Sequence, residues 1–143
     1  MPRPAPWRLL PASYPTTETM QTRFQDLDPM GHLNNVAFAA LFENARVRFN
    51  QRMGSMNRER GFRGVVAQST INYIAEGSYP EDVEIATGIG AIGNRSWEIL
   101  AAMFQSGKII ATCDTVIVMT SSPGEPLPTA FRHRLEELRV REG

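Results

Sequence analysis

The chain has 143 residues, 42% of them hydrophobic, which suits one domain around one core. Its 15 basic and 15 acidic residues cancel, so no net field draws it to nucleic acid or to an anionic membrane. No apolar run approaches the ~18 residues of a membrane span, and the one cysteine, Cys113, has no partner for an internal disulfide.

Residues 1–16 hold five of the ten prolines: Pro2, Pro4, Pro6, Pro11 and Pro15. Proline fixes φ and lacks an N–H, so this stretch is expected to be an extended or disordered arm, with Trp7, Leu9 and Leu10 able to pin it to the body. Its apolar content is too short for a signal-peptide core, and the expected location is cytoplasmic. The remaining residues, 17–143, are read as a single domain. Rough alternation over 17–25, with Met20, Thr22 and Phe24 on one side, predicts a first strand.

A polar cluster follows, and then VAFAALFENARVRFNQRM runs without Gly or Pro. Asn34 or Asn35 is a natural N-cap and Gly54 a natural terminator. Apolar residues lie nearly all round this helix, from Val36 to Phe49, which predicts burial on most faces. Residues 65–76, 82–92, 95–105 and 108–119 read as four strands. Among them Val83, Ile85, Ile89 and Ala91 share one face, and Ser106-Gly107 forms a tight turn. A Pro/Ser/Gly stretch and a short amphipathic helix, TAFRHRLEELR, end the chain. The class is therefore α+β: a curved antiparallel sheet of about five strands wrapped around one long helix. Such a sheet is expected to bury only its concave face, and its open edges predict pairing with a second copy.

The cluster at the start of the long helix carries the candidate chemistry. Asp26 and Asp28 sit two apart, and Pro29 and Gly31 break the strand, placing Asp28 in a turn beside a helix N-terminus. Free N–H groups and the positive end of the helix dipole can hold an oxyanion there. A nearby carboxylate can attack a carbonyl carbon or deprotonate a water that does so. Those are the minimum requirements for hydrolysing an activated acyl group such as a thioester. The same residue types also serve as turn and cap chemistry, and His32 can be a hydrogen-bonded structural histidine. Asp26, Asp28 and His32 are acceptable metal ligands, but no second His or Cys cluster supports them. Glu43, in the middle of the apolar helix, must be paired if it is buried. It either pairs with Arg46 at i+3 or lines the same pocket as Asp28.

The run R-F-Q-D-L-D-P-M-G-H-L-N-N-V-A-F-x-x-x-F-E-N-A-R, residues 23–46, resembles the signature of the 4-hydroxybenzoyl-CoA thioesterase-like branch of the hotdog-fold acyl-CoA thioesterases. INYIAEGSYPEDVEI, IGNRSWEI and LPTAFRHRLEEL are similar to later parts of that family, so the resemblance runs from about Thr17 onward. It implies a hotdog fold and metal-free hydrolysis of an acyl-CoA, or sometimes acyl-carrier-protein, thioester without a cofactor. It also implies a homodimer or homotetramer with active sites at the dimer interface. The catalytic set it implies is Asp28, as nucleophile or base, with His32, Asn34, Asn35 and Glu43 around it and the His32–Val36 region polarising the carbonyl. Asp26, Phe38 and Tyr73 are expected to face substrate. The chain departs from the family at Phe38, where Tyr is common, and at Ala75–Asp82, where a basic residue is missing. Arg95, with Asn94 and Ser96, is the substitute candidate for the nucleotide phosphates.

Two other functions fit the same scaffold. An enoyl-thioester hydratase or dehydratase would use Asp28 and His32 as acid and base. A non-catalytic acyl-thioester binder would bind without turnover, since a fold does not fix a function.

Overall fold

The computed structural model describes residues 3–54 and 62–142, so Pro2 of the arm and Gly143 of the domain lie outside the described residues. Seven main elements follow in order: β1 (Thr16–Met20), α1 (Asn35–Met53), β2 (Gly64–Tyr73), β3 (Val83–Ile92), β4 (Ser96–Gln105), β5 (Lys108–Met119) and α2 (Thr129–Glu137). The strands form one antiparallel sheet in the order β1-β3-β4-β5-β2.

Local chemistry sets the boundaries. The Asn34 side chain accepts the Ala37 N–H at 2.8 Å and starts α1. Gly54, at φ +75°, ends it in the left-handed conformation that suits glycine. Ser106 and Gly107 both have positive φ, as the tight β4–β5 hairpin turn requires. Strand β2 pairs with β5 rather than with its sequence neighbour β3. The connection over 74–82 is too long for a hairpin and carries the chain from the β2 edge across the sheet to β3, next to the other edge.

The concave face of the sheet packs on α1. Phe38, Leu41, Phe42 and Ala45 meet Val83, Ile85, Ala101, Met103 and Ala111. Phe49 and Met53 meet Ile89, Trp97, Ile99 and Ile117, with Phe131 and Leu135 of α2. Helix α1 departs from expectation: Ala37, Phe38, Leu41, Phe42, Ala45, Phe49 and Met53 are buried, but Val36 is 77% exposed and Ala39, Ala40 and Glu43 are exposed. Among the described residues, the apolar side of the helix that packs on the sheet is the side that is buried. Strand β2, at the sheet edge, is exposed along most of its length.

The convex face is buried as well, and the N-terminal arm is what covers it. Instead of running extended, residues 6–9 and 11–13 form two short 3-10 turns, each led by a proline whose fixed φ suits a helical start. Tyr14 packs with Ala86, Leu100, Ala102 and Phe104, and Trp7 and Val140 pack around them. Arg8 is buried: it reaches Asp114 at 2.7 Å and donates to the Tyr14 hydroxyl at 2.9 Å and to the Ala101 carbonyl at 3.3 Å. Burial pulls the Arg8 pKa down, but the hydrogen bonds to Asp114 and Tyr14 outweigh it and raise it; burial raises that of Tyr14. The C-terminal tail continues the cover, with Val140 donating to the Ile89 carbonyl and Arg141 to that of Ser13. Strand β1 stops at Met20, short of the expected 25, and Phe24 turns outward in a 3-10 turn at 74% exposure. No helix among the described residues is long and apolar enough to cross a membrane.

Arg8→Ala leaves Asp114 and Tyr14 without their charged partner. It is expected to lower the unfolding free energy by about 2 kcal/mol, read from chemical denaturation curves.

Candidate active site

The segment from Asp26 to Asn34 is a short closed loop. Leu27 and Leu33 bridge as an antiparallel pair. The Asp28 N–H donates to the His32 carbonyl at 2.8 Å, and the Asn34 N–H to the Asp26 carbonyl at 2.8 Å. Gly31 sits at φ +83°, where other residues are strained, and donates to the Asp28 carbonyl at 3.0 Å. The β2–β3 connection braces the loop from outside: Leu33 donates to the Gly77 carbonyl at 2.9 Å. A Cβ on Gly77 would stand 2.5 Å from Leu33 Cδ1, so the close approach needs glycine. Buried Gln105 fixes that connection in turn, bonding Ser78 and the Glu81 carbonyl.

This loop delivers Asp28 beside the start of α1. Asp28 Oδ1 accepts the N–H groups of Met30 at 2.9 Å and His32 at 3.1 Å, which fixes the side chain by one oxygen. Its other oxygen, Oδ2, meets no donor among the described residues. The Ala37 N–H is taken by the Asn34 side chain and the Phe38 N–H by the Asn34 carbonyl. The N–H groups of Asn35 and Val36, first in the helix, have no intrahelical acceptor and are open to a ligand. Asp28, Asn34, Asn35 and Val36 line one open pocket of about 490 Å³ with Arg23, Gln25, Asp26, Ala37 and Ala40. A carboxylate and unsatisfied helix N–H groups thus share one cavity, which is an arrangement able to bind and polarise a carbonyl.

Other candidates lie elsewhere or are already engaged. Asp26 is 4% exposed, and its carboxylate accepts the Arg23 N–H at 2.9 Å and the Arg23 guanidinium at 2.8 and 3.2 Å. That pairing raises the Arg23 pKa and ties Asp26 to a structural role at the pocket's wall. His32 Nε2 stands 3.0 Å from Glu76 and does not line the pocket. Glu43 is exposed rather than buried, 4.0 Å from Arg46. It lies about 12 Å along α1 from Asn35 and lines a separate cavity. Phe38 is buried and meets Tyr73 edge-on, ring centroids 5.3 Å apart, on the sheet side of the helix.

Arg95 is spent inside the chain. Its guanidinium donates to the carbonyls of Met119, Ser121, Ser122 and Glu125, holding the loop after β5. Asn94 receives the Leu127 N–H on its carbonyl, and Ser96 that of Gly93. These three form a structural clamp away from the Asp28 pocket. Gln25 and Ala40 line the pocket without having been singled out as site residues from the sequence, whereas Val36 ends the His32–Val36 stretch expected to polarise the carbonyl. Among the described residues no three His, Cys, Asp or Glu side chains gather as a metal site requires.

The model of the thioesterase-like superfamily matches residues 22–135, from just ahead of the Asp26–Asn34 loop into α2. The chain belongs to the thioesterase-like superfamily. A thioesterase from Thermus thermophilus, solved in complex with coenzyme A and Zn, is 30% identical with a TM-score of 0.77, covering 87% of this chain and 94% of that one. A predicted thioesterase from Bacillus stearothermophilus is 29% identical with a TM-score of 0.78, covering 89% and 98%. The uncharacterised protein YsmA of Bacillus subtilis is 25% identical over 91 residues, and that match spans 62% of its length. The fold of this superfamily member is the hotdog: one long helix wrapped by a five-stranded antiparallel sheet.

Asn34→Ala removes the helix cap that borders the pocket. It is expected to cost about 1 kcal/mol of stability, measured by thermal or urea unfolding.

Proposed function

We propose that the chain hydrolyses an acyl-CoA thioester to a free acid and coenzyme A. The observation that carries this reading is the meeting of the Asp28 carboxylate with the open N–H groups of Asn35 and Val36 in one pocket. Superfamily membership and the coenzyme A complex of the Thermus thioesterase support it. In this reading the thioester carbonyl oxygen accepts from the first turn of α1. Asp28 Oδ2 then either attacks the carbonyl carbon or takes a proton from the attacking water. The tetrahedral oxyanion collapses, the C–S bond breaks and the thiolate leaves. If Asp28 attacks, water then cleaves the resulting anhydride. No metal enters this scheme.

A hydratase is less well supported, because His32 is directed to Glu76 and outside the pocket. A homodimer is part of the proposal. Edge strand β2 and the outer side of α1 leave Val65, Val66, Tyr73 and Val36 exposed, and pairing through that edge would cover them.

The test is thiol release from a panel of acyl-CoAs. Wild type is expected to turn over at least one of them. Asp28→Asn, which keeps the loop's hydrogen-bond acceptor, is expected to lose at least ~10²-fold in kcat with an unchanged circular dichroism spectrum. Wild-type rates in Asp28→Asn would move the chemistry away from this loop, and binding without turnover would favour a non-catalytic role.

A further inference from the structure

The core beneath α1 is split by a polar seam. The apolar cluster around Phe42 and Met103 and the one around Phe49 and Trp97 are separate. At the same level of the sheet lie Thr87 of β3, Thr115 and Cys113 of β5, and Arg46 of α1. Arg46 crosses from the helix to the sheet: its side chain is 14% exposed, and it donates to Thr115 Oγ1 at 3.3 Å. The Glu43 carboxylate is 4.0 Å from it, beyond hydrogen-bond reach. A guanidinium carries five N–H donors, so Arg46 has donors to spare beyond the one given to Thr115. Thr87 is 2% exposed, and its Oγ1 has no hydrogen-bond partner among the described residues. Thr115, 1% exposed, meets Ser69 at 3.4 Å and Cys113 at 3.6 Å through its hydroxyl.

These groups line one small space, walled almost wholly by buried residues. Phe42, Arg46, Thr87, Ile99, Ala101, Cys113 and Thr115 line a cavity of about 10 Å³, the scale of a single water. Three observations converge: a buried hydroxyl with no partner among the described residues, a guanidinium with donors to spare, and a void of matching size that both residues line. We infer that this cavity holds one ordered internal water, bonded to Thr87 Oγ1 and the Arg46 guanidinium. The water accepts from Arg46 and bonds the Thr87 hydroxyl, tying α1 to β3 at mid-helix. A dry void would leave the Thr87 hydroxyl without a partner, whereas a water held between Thr87 and Arg46 supplies one. The inference is independent of the proposed activity.

Two measurements on the full chain decide it. A crystal structure at high resolution is expected to show density within hydrogen-bond distance of Thr87 Oγ1 and the Arg46 guanidinium; an empty cavity overturns the inference. Thr87→Val keeps the side-chain shape and deletes the hydroxyl. With water present, the variant takes away one of its two partners and leaves it under-bonded, so Tm is expected to fall by about 4 °C. With the cavity dry, the same change removes an unsatisfied buried hydroxyl, and an unchanged or higher Tm overturns the inference. Thr87→Ser, which retains the hydroxyl, is expected to keep the density, and its loss there also overturns it.

Discussion

Asp26 is the pivot of the pocket. A buried carboxylate is stable only when paired, and this one is held by the backbone N–H and the guanidinium of Arg23. The same residue's carbonyl receives the Asn34 N–H. One residue therefore joins the end of the β1 segment to the residue that caps α1. The loop between them has little freedom left: the Leu27–Leu33 bridge and the Asp28–His32 backbone bond close it. Asp28 stands at the helix start because of this closure, and the open N–H groups of Asn35 and Val36 follow from where Asn34 places the cap. The two aspartates, alike in sequence, divide the work: one is structural and buried, the other presents a free oxygen to a cavity.

The sheet supports this arrangement from both sides. Its concave face packs the apolar side of α1, which fixes the helix axis and hence the direction of its N-terminus. Its convex face is sealed by the N-terminal arm and C-terminal tail, with Arg8, Tyr14 and Asp114 as a polar clasp within an apolar patch. The β2–β3 connection reaches back to Leu33 through Gly77, so the loop that carries Asp28 is anchored to the sheet as well as to the helix.

Much of this is legible in the residues alone. Alternation marks the four later strands to within a residue or two at most ends, and Asn34 and Gly54 mark the ends of α1, because caps and turns depend on local chemistry. Strand order is not readable, since β2 pairs with β5 and reaches β3 through a connection whose path depends on the finished sheet. The arm departs from expectation for a related reason: proline content argues for an extended chain in isolation, yet Arg8 and Tyr14 find partners on strands far away in sequence. The apolar neighbours of Glu43 along the helix suggest burial, whereas burial is decided by which side faces the sheet. Arg95 beside a turn looks available for phosphates, and only the folded loop after β5 reveals the four carbonyls that occupy it. The position of Asp28 beside the helix start is legible because loop breakers, a carboxylate and a helix start are all local signals.

The central claim is that a thioester carbonyl binds between Asp28 and the first turn of α1. A crystal structure with a non-hydrolysable acyl-CoA analogue, one with a methylene inserted beside the sulfur, tests it most directly. The account predicts the analogue's carbonyl oxygen within hydrogen-bond distance of the Asn35 or Val36 N–H, with its carbon facing Asp28 Oδ2. A carbonyl bound elsewhere, against Glu43 or in the cavity beside it, would contradict the account.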